Sequence, residues 1–229
     1  MTLYLLPNLL SDSRQWDHFL PASVKTTVWD LHGLIAESES GARRFLSLFD
    51  RRSLVVALYH KKSPDDEIDF LLEPLKKGER WGLISDAGLP CIADPGHKLV
   101  ARAREMGLKI EALAGGPSSL MLALMLSGLE AQNFHFHGYL DREPLKFLRS
   151  LPQGVTHLFI EAPHRSQELL KTLVETLEDS TFLSVSWDLG LQSQNTLTYK
   201  VGVWKKIPLP NLTKRAATFV VLRSFLTRK

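Results

Sequence analysis

Trp81-Gly82-Leu83-Ile84-Ser85-Asp86-Ala87-Gly88-Leu89-Pro90-Cys91-Ile92-Ala93-Asp94-Pro95-Gly96 decides how this chain folds. Trp81 to Ile84 is a short apolar run that reads as a buried strand. The loop after it concentrates glycine, proline and aspartate. In a parallel sheet such loops lie at the carboxyl ends of strands, where ligands bind. Gly88 and Gly96 permit positive φ or close backbone approach, Pro90 and Pro95 stiffen the loop, and Asp86 and Asp94 offer acceptors to a ligand. A second segment has the same design: the strand expected over Lys109 to Leu113 runs into Ala114-Gly115-Gly116-Pro117-Ser118-Ser119 and then a helix. Its N–H groups and hydroxyls suit a carboxylate at a positive helix end, or equally a capped strand-to-helix turn with no ligand. No Gly-x-x-x-x-Gly-Lys-Ser/Thr and no Gly-x-Gly-x-x-Gly after the first strand is present, so phosphate-loop and dinucleotide sites lack their marks.

Outward from these loops, short apolar runs alternate with amphipathic stretches, the rhythm of an α/β fold with a mainly parallel sheet. Further strands are expected over Leu3 to Leu6, Thr26 to Trp29 and Leu54 to Leu58. Helices are expected over Asp65 to Lys77, over His97 to Met106, and after Pro117, where Met121 and Met125 read as core. Asp141-Arg142-Glu143-Pro144 reads as a polar joint, giving an amino-terminal domain over 1–140 and a smaller α/β domain over 141–229. In the latter, strands are expected over His157 to Glu161, Leu183 to Trp187 and Phe219 to Arg223, with a helix over Ser166 to Leu177.

The 229 residues, 44% hydrophobic and 23% charged, suffice for a substantial core. Cys91 is the single cysteine, which excludes an internal disulfide and a cysteine-based zinc site and fits a reducing, cytoplasmic compartment. Met1 to Leu10 lacks a basic leader, and the longest apolar run, Leu120 to Leu126, is far short of a membrane span. Beyond Asp188 no acidic residue occurs, while Lys200, Lys205, Lys206, Lys214, Arg215, Arg223, Arg228 and Lys229 are basic; this end suits an anionic partner such as RNA, or a solvated face. His135 and His137 share one strand face, a spacing that suits a metal ion but lacks obvious further ligands, so no metal is expected.

Ser85-Asp86-Ala87-Gly88-x-Pro90, Asp94-Pro95-Gly96, Gly116-Pro117-Ser118-Ser119, Ser127-Gly128-Leu129 and Gly138-Tyr139-Leu140 occur in an order and spacing that resemble the tetrapyrrole-methylase superfamily, most closely its branch of ribosomal-RNA ribose 2′-O-methyltransferases. Phe159-Ile160-Glu161-Ala162-Pro163-His164-Arg165 resembles that branch's Phe-Tyr-Glu-Ser-Pro-His-Arg. The resemblance implies two α/β domains with S-adenosylmethionine in the cleft between them, a homodimer, and ribosomal RNA as acceptor. A tetrapyrrole acceptor and a non-catalytic cofactor- or RNA-binding relative are the alternatives. By position it implies that Ser85, Asp86, Ala87, Gly88, Asp94, Gly96, Pro117, Ser118 and Ser119 hold the cofactor. Glu161, His164 and Asp188 are the candidate catalytic groups, and Arg165 holds substrate phosphate or pairs with Glu161.

The chain departs from the branch elsewhere. Leu6-Pro7-Asn8-Leu9-Leu10 stands where the branch has Thr-Pro-x-Gly-Asn-Leu, and Ala36-Glu37-Ser38-Glu39-Ser40 stands where it has Glu-Asp-Thr-Arg. Trp187-Asp188-Leu189-Gly190-Leu191 replaces Arg-Glu-Leu-Thr-Lys. The substrate side has diverged more than the cofactor side.

Overall fold

Strands β1 (Thr2–Leu5), β2 (Gly33–Ala36), β3 (Val55–Leu58), β4 (Arg80–Ile84) and β5 (Ile110–Ala112) form one wholly parallel sheet in the order β3-β2-β4-β1-β5. This is a computed structural model, and it describes residues 1–11 and 16–223. Helices α1 (Ala22–Trp29), α2 (Glu39–Ser47), α3 (Glu67–Lys76) and α4 (Gly96–Glu105) connect the strands. Alternation along β2 places Leu34 in a cluster with Val24, Val28 and Phe45, and Ile35 in another with Leu72, Leu75 and Leu99. The sheet is thus covered on both faces, which explains why its strands read as apolar runs rather than alternating ones.

One expected strand is corrected. Thr26 to Trp29 is the last turn of α1, not a strand. Its β-branched residues favour extended chain, but Val24 and Val28, four apart, bury together on one helical face and that packing decides the conformation. The second strand is instead the four-residue Gly33–Ala36.

The second sheet is mixed. After α5 (Ser119–Ser127) come β6 (Phe134–Tyr139), α6 (Leu145–Ser150), β7 (Thr156–Glu161), α7 (Ser166–Thr176), β8 (Phe182–Trp187), β9 (Asn195–Lys200), α8 (Val201–Trp204) and β10 (Ala217–Leu222). The order is β6-β7-β10-β8-β9, with β6 parallel to β7 and the remaining pairs antiparallel. Its core gathers Leu148, Phe159, Leu170, Leu173, Val185, Trp204 and Phe219.

Contacts divide the chain into Met1–Ser118 and Ser119–Lys229, an earlier division than the joint read at Asp141. The reason is tertiary: α5 packs against β8, β9 and β10, and β6 pairs with β7. The polar Asp141-Arg142-Glu143-Pro144 segment is a surface connection inside the second unit. Met121 and Met125, read as core, are 43% and 77% exposed. Among the described residues, no helix is long and apolar enough to cross a membrane.

Candidate active site

Because the first sheet is parallel, the loops following β1, β2, β4 and β5 meet at one edge. Asn8, buried after β1, donates from Nδ2 to the carbonyls of Ser85 at 2.9 Å and Asp86 at 3.3 Å. The Asn8 N–H donates to the Gly88 carbonyl at 2.8 Å, so the β1 loop is laced to the glycine-rich loop. Ser85 is buried, and its hydroxyl donates to the Ala87 carbonyl at 3.0 Å. Gly88 has φ +74°, the left-handed conformation that its loop position required.

Asp86 meets the start of α2. Its Oδ1 accepts from Ser38 Oγ at 2.7 Å, and Ser38 Oγ caps α2 by accepting from the Gly41 N–H at 3.0 Å. A Cβ at Gly41 would stand 2.0 Å from Asp86 Oδ1, so only glycine admits the carboxylate there. Glu37, at the end of β2, is half-buried against the same loop. Burial pushes its carboxyl above the usual range and repulsion from Asp86 and Asp94 adds to this, although the Asp86 N–H donates to it.

Asp94 Oδ1 accepts from the Gly96 N–H at 2.7 Å. Its Oδ2 is buried without a hydrogen-bond partner among the described residues. Burial raises this carboxyl as well, against the lowering influence of the Gly96 and Cys91 N–H groups. Cys91 and Ala93 adopt φ of 70° and 62°, strained for residues with a Cβ, and such strain gathers at ligand sites. Burial, with the Asp94 charge, pushes the Cys91 thiol up to about 12, so it is no nucleophile.

Gly116 has φ +99°, and a Cβ there would fall 2.2 Å from the Pro7 Cβ, fixing the β5 loop against the β1 loop. Pro117 and Ser118 close the first unit, and Ser119 is the first residue of α5. A cavity of about 690 Å³ opens beside Asn8, Leu9, Arg44, Phe45, Asp86 and Ala87, a size that accommodates a small ligand. Asn8, Glu37, Ser38 and Arg44 were not identified as site residues from sequence. Asn8, Glu37 and Ser38 lie in segments that depart from the branch pattern, Arg44 follows in α2, and only the strand order brings them to the Asp86 loop.

In the second unit, Glu161 and Trp187 both pair with Ala217, so Glu161 and the following Asp188 lie at one edge of the sheet. The Glu161 side chain is 1% exposed, with Oε1 accepting from the Ala162 N–H at 2.8 Å and Oε2 facing Arg165 Nη2 at 3.3 Å. That ion pair lacks hydrogen-bond alignment, since Oε2 has no hydrogen-bond partner among the described residues. Arg165 Nη2 also donates to the Leu140 carbonyl at 3.2 Å and to that of Asp141 at 3.4 Å. The guanidinium therefore ties the end of β6 to Glu161. Asp188 Oδ2 accepts from Arg215 Nη1 at 2.7 Å and from Ser193 Oγ at 2.9 Å. His164 is exposed and lines a second cavity of about 380 Å³ with Arg142, Arg165 and Glu168.

The basic end is partly neutralised: Arg215 pairs with Asp188, Lys205 with Asp179 and Arg223 with Glu178. Lys206 and Lys214 are exposed, without a carboxylate partner among the described residues. Arg228 and Lys229 lie outside the described residues.

No protein-family model matches the sequence. The chain is similar to the ribosomal RNA small subunit methyltransferase I of Buchnera aphidicola subsp. Schizaphis graminum, 26% identical over 231 residues that cover 89% of this chain and 80% of the relative. It is similar to the Bacillus subtilis protein of that name, 33% identical over 67% of this chain and 53% of the relative. The Xylella fastidiosa protein is 36% identical over 61% and 52%. Among solved structures, uroporphyrin-III-C-methyltransferase from Thermus thermophilus matches at TM-score 0.59 and 16% identity, covering 97% of this chain and 94% of that one. The methyltransferase CobJ matches at TM-score 0.63 and 16% identity, covering 100% and 95%.

The chain shares the fold of these two methyltransferases and is similar in sequence to ribosomal RNA small subunit methyltransferases. The chain spans about half the length of the Bacillus and Xylella relatives it matches.

Proposed function

We propose that this protein is an S-adenosylmethionine-dependent methyltransferase that methylates a ribose 2′-oxygen in ribosomal RNA. The observation that carries the reading is the sequence likeness to ribosomal RNA small subunit methyltransferases, extending over 89% of the chain in one relative. A cavity of adequate size lined by Asp86 and Ala87, and an Asp94 oxygen buried without a hydrogen-bond partner among the described residues, support a cofactor at this edge of the parallel sheet. Ser85, Asp86, Ala87, Gly88, Asp94, Gly96, Pro117 and Ser118 hold it there.

Bound there, the cofactor supplies a methyl group on a sulfonium centre. The chain's own residues orient it and exclude water, which provides much of the rate in an in-line displacement. A ribose hydroxyl needs its proton accepted as it attacks. Of Glu161, His164 and Asp188, the two carboxylates are each engaged with an arginine, whereas His164 is exposed at a cavity rimmed by Arg142. We assign the proton-accepting role to His164. Arg165 serves chiefly to hold Glu161 and the end of β6, while Lys206 and Lys214 meet phosphate. We place the protein in the cytoplasm and as a homodimer.

The test is to supply S-adenosylmethionine labelled at the methyl group with small ribosomal subunits or with a uroporphyrinogen. Label in the RNA of the subunits is expected. Label in the porphyrinogen alone, or in neither acceptor despite cofactor binding, contradicts the reading.

A further inference from the structure

We propose that His135, His137 and His157 form a binding site for a transition-metal dication, with Zn²⁺ as its ion. His135 and His137 lie on one face of the edge strand β6, and His157 pairs directly with His135 across the parallel β6–β7 ladder. One ring nitrogen from each of the three lies within 4.8 Å of the others. The third ligand is the one sequence spacing did not provide, because the strand register supplies it.

The hydrogen bonds fix how the rings present themselves. His157 is fully buried, and its Nε2 stands 3.0 Å from the Pro152 carbonyl, which can only accept. Nε2 therefore carries the proton and Nδ1 presents a lone pair, toward His137 Nε2 at 3.0 Å. A histidine that donates one nitrogen to a backbone carbonyl and offers the other is oriented as metal ligands are. With zinc–nitrogen bonds of about 2.0–2.1 Å, tetrahedral ligand nitrogens lie about 3.3 Å apart, so the His137–His157 pair already stands near ligand spacing. The exposed ring of His135 is free to close the remaining distance.

The surroundings suit such a site. His137 stacks on Phe159 at 5.1 Å and meets the edge of Phe147 at 5.0 Å, so one side of the cluster is walled by aromatic carbon. The register of β6 shifts between Phe136 and Tyr139, where Gly138 takes φ 69°, the kind of irregularity that re-aims side chains beside a site. Three imidazoles and no carboxylate select a zinc-like ion over Mg²⁺ or Ca²⁺ and leave a fourth position for water. None of the three belongs to the cofactor or acceptor residues. The ion would clamp the edge strand β6 to β7.

The experiment is calorimetric titration of the chelator-treated, dialysed protein with Zn²⁺, together with its thermal denaturation, for the unsubstituted chain and for His135→Ala and His137→Gln. One ion per chain is expected, with a raised denaturation temperature. Each substitution is expected to weaken binding by more than about 100-fold, the upper end of what losing a group that only hydrogen-bonds a metal ligand costs, and to abolish the thermal shift. His135→Ala alters an exposed ring and decides the matter should His137→Gln fail to fold. Absence of stoichiometric binding, or affinity unchanged in His135→Ala because other surface histidines hold the ion, overturns the proposal.

Discussion

Ser38 Oγ donates a 2.7 Å hydrogen bond to Asp86 Oδ1, joining the first turn of α2 to the loop after β4. The same oxygen caps α2. Ser38→Ala therefore removes a cap and leaves Asp86 loose at the cavity wall. The expected loss is about 1–2 kcal/mol of stability, mostly the cap, and about tenfold in S-adenosylmethionine affinity, equivalent to about 1.4 kcal/mol. Urea denaturation and calorimetry read the two separately, and unchanged cofactor affinity would remove Asp86 from the site.

Gly116→Ala and Gly107→Ala form a matched pair. Both glycines have positive φ, but a Cβ at Gly107 meets nothing within 4 Å, whereas at Gly116 it would lie 2.2 Å from Pro7 Cβ. Gly107→Ala is expected to cost the left-handed penalty alone, about 1 kcal/mol. Gly116→Ala should cost about 1–3 kcal/mol more, as overpacking does, and weaken cofactor binding. Equal losses in the two variants would mean that the loops after β1 and β5 do not touch.

Asp94 makes stability depend on pH in a stated direction. Burial raises its carboxyl above the ordinary value in the folded state, so the folded chain holds this proton to a higher pH than the unfolded chain does. The contribution to stability is complete below the unfolded carboxylate value of about 3.9 and is lost as pH rises through the raised folded value. Asp94→Asn cannot ionise. Denaturation from pH 4.5 to 8 should therefore show wild-type stability falling relative to the variant as pH rises, and a constant difference would contradict the burial of Oδ2. Glu37→Gln has the same sign.

Arg165→Ala tests whether that guanidinium is structural. It would leave the Glu161 carboxylate, 1% exposed, without its counter-charge. Because the arginine side chain is itself 29% exposed, the expected cost is below the usual buried-pair figure, about 2–3 kcal/mol in chemical denaturation. Adding Glu161→Leu should recover part of it. A fully stable Arg165→Ala that fails only in RNA binding would instead assign Arg165 to phosphate.

The glycine-rich loops were legible in sequence because glycine, proline and aspartate carry their conformational meaning locally. The parallel first sheet was legible for a related reason, since burial on both faces writes its central strands, β2 and β4, as largely apolar runs. What was not legible depends on contacts between distant residues. Asn8 and Ser38 reach Asp86 only through the order β2-β4-β1, and His157 reaches His135 only through the register of β6 on β7. Thr26 to Trp29 misled because β-branched residues favour strands locally while Val24 and Val28 pack as a helix face. The placement of α5 and β6 in the second unit was hidden for the same reason, as the polar Asp141–Pro144 segment marks a surface turn as readily as a domain joint.

The most direct measurement is where the transferred methyl resides in RNA. After transfer from labelled S-adenosylmethionine to small ribosomal subunits, the extracted RNA is hydrolysed in alkali, which requires a free 2′-hydroxyl to break each phosphodiester bond. Label is expected in an alkali-resistant dinucleotide, with His164→Ala lowering the rate by about 10²–10⁴-fold, as loss of a general base does, while cofactor affinity is unchanged. Label released in mononucleotides, which marks a methylated base, or no label in RNA would contradict it.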